Sequence, residues 1–206
     1  FVNNTSKNRN LIEEAIKTSE GQNPIAVILS CLDSRSSADI IFDQPIGGVF
    51  SARVAGNIVN DDILGSMEFA CAASTAKLVM VVGHTSCGAI KGACDGVKLG
   101  NLTGLLKKIQ PAIDAVKKPT KPEERNGGNE KFVNKVTKKN VILTMDNIRK
   151  RSEILNNLEK EGKIMIVGGI HDLSTGEINY IGHDGGYNVG SGRSENNYRY
   201  DMGGSY

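Results

Sequence analysis

A chain of 206 residues with a formal charge of +2, 39% hydrophobic and 23% charged, can bury a core without disulfides or added metal. So balanced a charge, with Lys and Arg interleaved among Asp and Glu, gives no basis for a nucleic-acid partner or an anionic membrane. No apolar run approaches the roughly 18 residues of a bilayer-spanning helix, and four cysteines are too few for a disulfide scaffold at this length.

In chain order, a polar opening leads into a helix predicted over residues 7–20, with Leu11, Ala15 and Ile16 on one side and Gly21 ending it. Residues 25–30 form a short continuous apolar run, the pattern of a strand buried on both faces. A second strand is predicted over 48–53, a helix opened by Asp61 and Asp62 and running to about 74, and a third apolar strand over 78–83. The next helix, 102–116, carries Leu105, Leu106, Ile109 and Ile113 on one stripe. Residues 117–129, rich in Lys, Pro, Glu, Asn and Gly, read as a surface loop, because helix and strand patterns resume beyond them. Helices follow over 130–150 and, capped by Ser152, to 160; a fourth buried strand spans 164–168 and an edge strand 178–181. From 182 on Gly, Ser, Asn and Tyr dominate, so the expected organisation is one α/β domain over 1–181 and an extended tail over 182–206.

Buried strands separated by helices specify a mainly parallel β-sheet flanked by helices, and such sheets gather ligands at the carboxyl ends of their strands. Cys31 directly follows the first strand and His84 the third, with Cys87 one turn further on. Two thiolates and an imidazole suit Zn²⁺, and three protein ligands leave a fourth position open for chemistry. The competing reading of a Cys at a strand end is a small buried apolar residue. Asp33 and Arg35 favour the site: an ordinary surface ion pair would be their other role, but they are fixed to the strand end that supplies Cys31. Cys71 and Cys94 lie in or beside helices without ligand spacing of their own. This cysteine usage suits a reducing compartment, so a cytoplasmic location is expected, with an exported or periplasmic one as the alternative because the chain opens on Phe1.

Cys31-Leu-Asp-Ser-Arg35 followed by His84-Thr-Ser-Cys-Gly88 resembles the β-class carbonic anhydrase signature, Cys-x-Asp-x-Arg and His-x-x-Cys-Gly. The likeness runs from about Gln22 to Ile181 and takes in Gly21-Gln-Asn-Pro24, Arg53-Val-Ala-Gly-Asn57, Leu64-Gly-Ser-Met-Glu-Phe-Ala70 and Gly168-Gly-Ile-His-Asp-Leu-Ser-Thr-Gly176. The resemblance implies zinc held by Cys31, His84 and Cys87, and reversible hydration of carbon dioxide to bicarbonate and a proton by zinc-bound hydroxide. It implies an Asp33–Arg35 dyad in which Asp33 accepts a hydrogen bond from the zinc-bound water or itself takes the fourth site. Gln22 would offer its amide to a substrate oxygen, Phe50, Ala55 and Phe69 would line the CO2 pocket, and Gly88 would give backbone at its floor.

The same resemblance implies a homodimer or higher even-numbered oligomer with the site at the dimer interface, so that Gln22, Phe50 and Phe69 serve the partner's zinc. Phe69 stands where many relatives have Tyr, and Val54 where Asn is frequent. Ile28 stands where one subgroup has the Trp of an allosteric bicarbonate pocket, so that pocket is not expected, although Arg53 is present. His171 is expected to pack rather than catalyse. Two alternatives keep the same ligands: a hydrolase of CS2 or COS on this fold, and a non-catalytic zinc or thiol module.

Overall fold

The computed structural model describes residues 9–181 and 187–188. Its sheet is built from β1 (Ala26–Ser30), β2 (Val49–Arg53), β3 (Leu78–His84), β4 (Met165–His171), β5 (Ile178–Ile181) and β6 (Tyr187–Asn188), in the order β2-β1-β3-β4-β5-β6. The first four run parallel, and β5 and β6 are antiparallel additions. The α/β class read from the sequence is therefore present. Every residue of β1 is buried, which is why it reads as an unbroken apolar run. The predicted edge strand β5 has a partner on each side, since β6 continues the sheet past residue 181. The rest of the expected 182–206 tail lies outside the described residues.

The helices are α1 (Leu11–Lys17), α2 (Ala38–Ile41), α3 (Asp61–Glu68), α4 (Gly88–Cys94), α5 (Gly100–Lys107), α6 (Gln110–Ala115), α7 (Glu130–Arg151) and α8 (Glu153–Lys160). Side-chain caps start α3, α7 and α8, where Asn60, Asn129 and Ser152 accept from the N–H of Ile63, Phe132 and Leu155. The single helix expected over 102–116 is two, because Pro111 in the first turn of α6 favours a fresh start there. The 117–129 loop is tied down by Arg125, which donates to the carbonyls of Ile113, Val116 and Pro119 and lies 4.7 Å over the Phe132 ring.

Strand β4 outruns its predicted end by three residues. Gly168 and Gly169 interrupt its apolar pattern, and the packing of Gly168, together with that of Gly83 in β3, shows why. A Cβ on Gly168 would stand 2.8 Å from Val141 Cγ1, and a Cβ on Gly83 2.8 Å from Val141 Cγ2. Helix α7 thus lies against β3 and β4 more closely than side chains would allow. Its buried Phe132, Val133, Val136, Val141 and Ile148 face the core, each contributing about 1.5–3 kcal/mol by leaving water. Of these, Phe132, Val133 and Val136 pack with α4 and α6 in a cluster that includes Cys31, Ile58, Cys87, Ile90 and Ile109, the residues that follow β1 and β3 among them.

Candidate metal centre

Strands β1 and β3 are neighbours, and each ends in a residue that can bind metal. Cys31 follows the last residue of β1, His84 is the last of β3, and Cys87 is the residue before α4. Between them Ser86 adopts φ 55°, a left-handed turn uncommon outside glycine, which brings Cys87 back toward His84. All three side chains are buried, and their ligand atoms lie within 4.8 Å of one another.

The geometry fits a tetrahedral metal. The Cys31 and Cys87 sulfurs are 3.9 Å apart; two thiolates at about 2.3 Å from a tetrahedral zinc would stand about 3.8 Å apart. His84 Nδ1 lies 2.9 Å from the Thr85 carbonyl oxygen, which can only accept, so Nδ1 carries the proton and Nε2 the lone pair. Nε2 is buried without a hydrogen-bond partner, a costly condition for a polar nitrogen and the one a metal ligand needs.

The charges fit as well. The Cys31 thiol is pulled down to about 4, first by its hydrogen bond with Cys87, then by His84 and the N–H groups of Asp33 and Gly56, against the opposing effect of burial. Cys87 is pushed up, by Cys31 and by burial. The two sulfurs therefore share one proton, because a second buried thiolate beside the first is unfavourable until a cation offsets both. Asp33 accepts from Arg35 Nε at 2.9 Å, Nη2 at 2.7 Å and the Arg35 N–H at 3.0 Å. The Arg35 guanidinium foremost holds that carboxyl well below the usual carboxylate range. Its Oδ2 stands 3.9 Å from His84 Nε2, beside the ligand triangle.

Of the residues singled out in the sequence, the structure gathers Cys31, His84, Cys87, Asp33 and Arg35 in one place. Gly88 opens α4 next to Cys87, and Ala55 opens a 3₁₀ turn (Ala55–Asn57) whose Gly56 N–H points at the Cys31 sulfur at 3.4 Å. Gln22, Phe50 and Phe69 are elsewhere. Gln22 is exposed and precedes β1, whose five residues alone span about 16 Å between it and Cys31. Phe50 lies beside Val27, early in β1, and its ring meets that of Phe69 edge-on at 6.2 Å. Together with Val27, Ala52 and Ile63 they line an open groove of about 770 Å³ that no metal-site residue borders. His171 is buried next to His84 in the sheet, with Ser36 Oγ 3.5 Å from its Nδ1; burial, then His84, lowers its pKa. Sequence reasoning assigned no role in this site to Gly56, Thr85 or Arg53: the first two act through their own backbone atoms and Arg53 binds backbone carbonyls, so none leaves a pattern to read.

The profile of the carbonic anhydrase family matches residues 26–178. The chain belongs to the β-class carbonic anhydrases. It is 33% identical over 170 residues to carbonic anhydrase 2 of Mycobacterium tuberculosis, covering 82% of this chain and 79% of that one. Identity to the carbonic anhydrase of Mycolicibacterium smegmatis is 30% over 175 residues, 84% and 82% of the two chains. Among solved structures, the β-carbonic anhydrase CcaA superposes with a TM-score of 0.74 at 24% identity, over 86% of this chain and 81% of that one. A tetrameric β-carbonic anhydrase of Sordaria macrospora gives 0.69 at 24% identity, over 81% and 85%. These two likenesses speak for the fold. Membership of the family carries carbonic anhydrase activity, a lyase reaction that hydrates CO2.

Proposed function

We propose that Cys31, His84 and Cys87 hold Zn²⁺ and that the site hydrates carbon dioxide reversibly to bicarbonate and a proton, with Asp33 and Arg35 as the working dyad. The unpaired, buried Nε2 of His84 facing two sulfurs 3.9 Å apart carries this reading. Bound there, zinc would supply Lewis acidity, lowering the pKa of water from about 15.7 toward the value near 7 of carbonic anhydrases with three histidine ligands, less completely because two thiolates offset its charge.

The chain's own residues do the rest. Asp33, ionised, can only accept, so Oδ2 takes the O–H of the attacking water and leaves a lone pair free for carbon. Arg35 grips both carboxylate oxygens and keeps Asp33 from joining the ligands. Thr85 O fixes the imidazole tautomer. Val54 and Ala55 offer an apolar approach to the ligands, and Gly88 exposes backbone beside Cys87.

Gln22, Phe50 and Phe69 lie too far along the sheet to serve their own chain, and we assign them to the site of a second copy in a homodimer or larger even assembly. The 58% exposure of Phe69 supports this, as does the tetrameric state of the Sordaria relative. A cytoplasmic setting is the reading that four free cysteines favour, two of them ligands that oxidation would disable; fractionation of the native host tests it. Stopped-flow CO2 hydration and metal analysis on one sample test the main proposal, with CS2 turnover measured alongside. One zinc per chain with no hydration of CO2 would sink it.

A further inference from the structure

Strand β1 leaves the sheet at Ser30, whose carbonyl still accepts from the Val54 N–H at 3.2 Å. The next three carbonyls, of Cys31, Leu32 and Asp33, have no strand beside them. All three point to one side chain. Arg53, the last residue of β2 and the register neighbour of Ser30, donates from Nε to Cys31 O at 3.1 Å, and from Nη2 to Leu32 O at 3.1 Å and Asp33 O at 2.6 Å. The Asp33 carbonyl also accepts the Ser36 N–H at 3.0 Å, closing the turn. Among the described residues no carboxylate lies within ion-pair distance of Arg53, so its donors serve the backbone.

We propose that Arg53 is a positioning residue of the site: its guanidinium splints the backbone from Cys31 to Asp33 and so sets where the Asp33 carboxylate stands. This rests on the reading of Asp33 as the acceptor in CO2 hydration. A planar, rigid fork bound to three consecutive carbonyls fixes the peptide planes between them, and with them the direction of the Asp33 Cα–Cβ bond. Arg35 does a different task. It grips the carboxylate from a side chain that is 58% exposed, and would follow that carboxylate wherever the backbone carried it. Arg35 sets the charge of Asp33, and Arg53 sets its place. The splint begins at a metal ligand and ends at the acceptor, so the distance between these two is held by one guanidinium.

The test uses the zinc-loaded protein with Arg53→Met and Arg53→Lys. Hydrogen exchange is followed on the segment 30–36 and on α7, and kcat, KM and zinc content are measured on the same samples. For Arg53→Met we expect amide exchange over 32–36 to rise about tenfold or more with α7 unchanged. We also expect kcat to fall about 10- to 100-fold, the usual cost of losing an outer partner of a metal site, with KM within about twofold and one zinc per chain. Arg53→Lys should fall between, because an ammonium is a point donor that cannot span three carbonyls. Unchanged exchange over 32–36 in Arg53→Met overturns the proposal; so does Arg53→Lys matching wild type in both exchange and kcat, which would leave charge alone as the cause. Loss of zinc also overturns it, since Arg53 would then support the ligand and not the acceptor. Should the Met variant fail to fold, the Lys variant decides by the same criteria. Asp33→Asn is the control: full activity there defeats the role given to Asp33, while exchange still reports on the splint.

Discussion

At the scale of single residues, the ligand set makes the sharpest prediction. Cys87→Ser keeps the volume and removes the thiolate, so bound zinc per chain should drop severalfold, checked by metal analysis after dialysis against a weak chelator. The pH dependence follows from Asp33. Its carboxyl is held below the usual range, so it is ionised throughout the neutral region and contributes no acid limb there. The rate of CO2 hydration should therefore rise through a single limb, with its midpoint above about 7 because two thiolates weaken the pull on water. A stopped-flow profile from pH 6 to 9 checks both statements. The clustering of Cys31, Asp33, Arg35, His84 and Cys87 was legible in the sequence because the five lie in two short motifs that follow neighbouring parallel strands. Arg53, Thr85 and Gly56 were not, because one side of each contact is a main-chain atom. Arg53 donates to carbonyls about 20 residues away, while the Gly56 N–H and the Thr85 carbonyl meet the side chains of Cys31 and His84, and no residue type marks a backbone group so used.

At the scale of elements, Gly83 and Glu14 test the packing. Gly83→Ala drives a Cβ to within 2.8 Å of Val141 and 3.1 Å of Ile170 and Thr137. Overpacking of this kind costs about 1–3 kcal/mol, so thermal unfolding should shift down by several degrees, with zinc retention weakened because His84 is the next residue. Helix α1 buries nothing of its own and is held through Glu14, which binds Arg9 at 2.6 Å and accepts the Ile46 N–H at 3.1 Å. The Arg9 guanidinium lowers the Glu14 pKa from 4.5 to about 2. A folded-state pKa below the unfolded one stabilises fully above 4.5 and is lost as pH falls toward about 2. The protection of α1 amides, relative to an unfolded chain at the same pH, should fall over that window, and Glu14→Gln should show the lowered protection already at neutral pH. The buried strands were readable as apolar runs, whereas α2 and α4 were missed. Four residues are too few for a periodicity to show in the one, and Gly88 and Gly92 dilute the apolar pattern of the other.

At the scale of the whole molecule, the Phe50–Phe69 groove and the exposed Leu11, Ile12 and Ile16 of α1 leave more apolar surface uncovered than one chain has use for. On the proposed assembly, Phe69→Asp should leave monomers in sedimentation and abolish hydration, although the mutated side chain lies along the sheet from its own chain's Cys31, His84 and Cys87. The proposed division of the pocket was beyond the sequence's periodicities and came only with the family resemblance, because no spacing within one chain records what a second copy supplies. The closeness of α7 to the sheet has a consequence for how such a sequence can change over time. One methyl carbon of Val141 stands 2.8 Å from where a Cβ of Gly83 would be, and the other 2.8 Å from where a Cβ of Gly168 would be. Three positions on three separate elements are thus one unit of variation. Among descendants of this chain, a side chain at 83 or 168 should arise only in lineages where residue 141 has already become smaller, so the order of substitution is constrained even though the final combinations are all apolar.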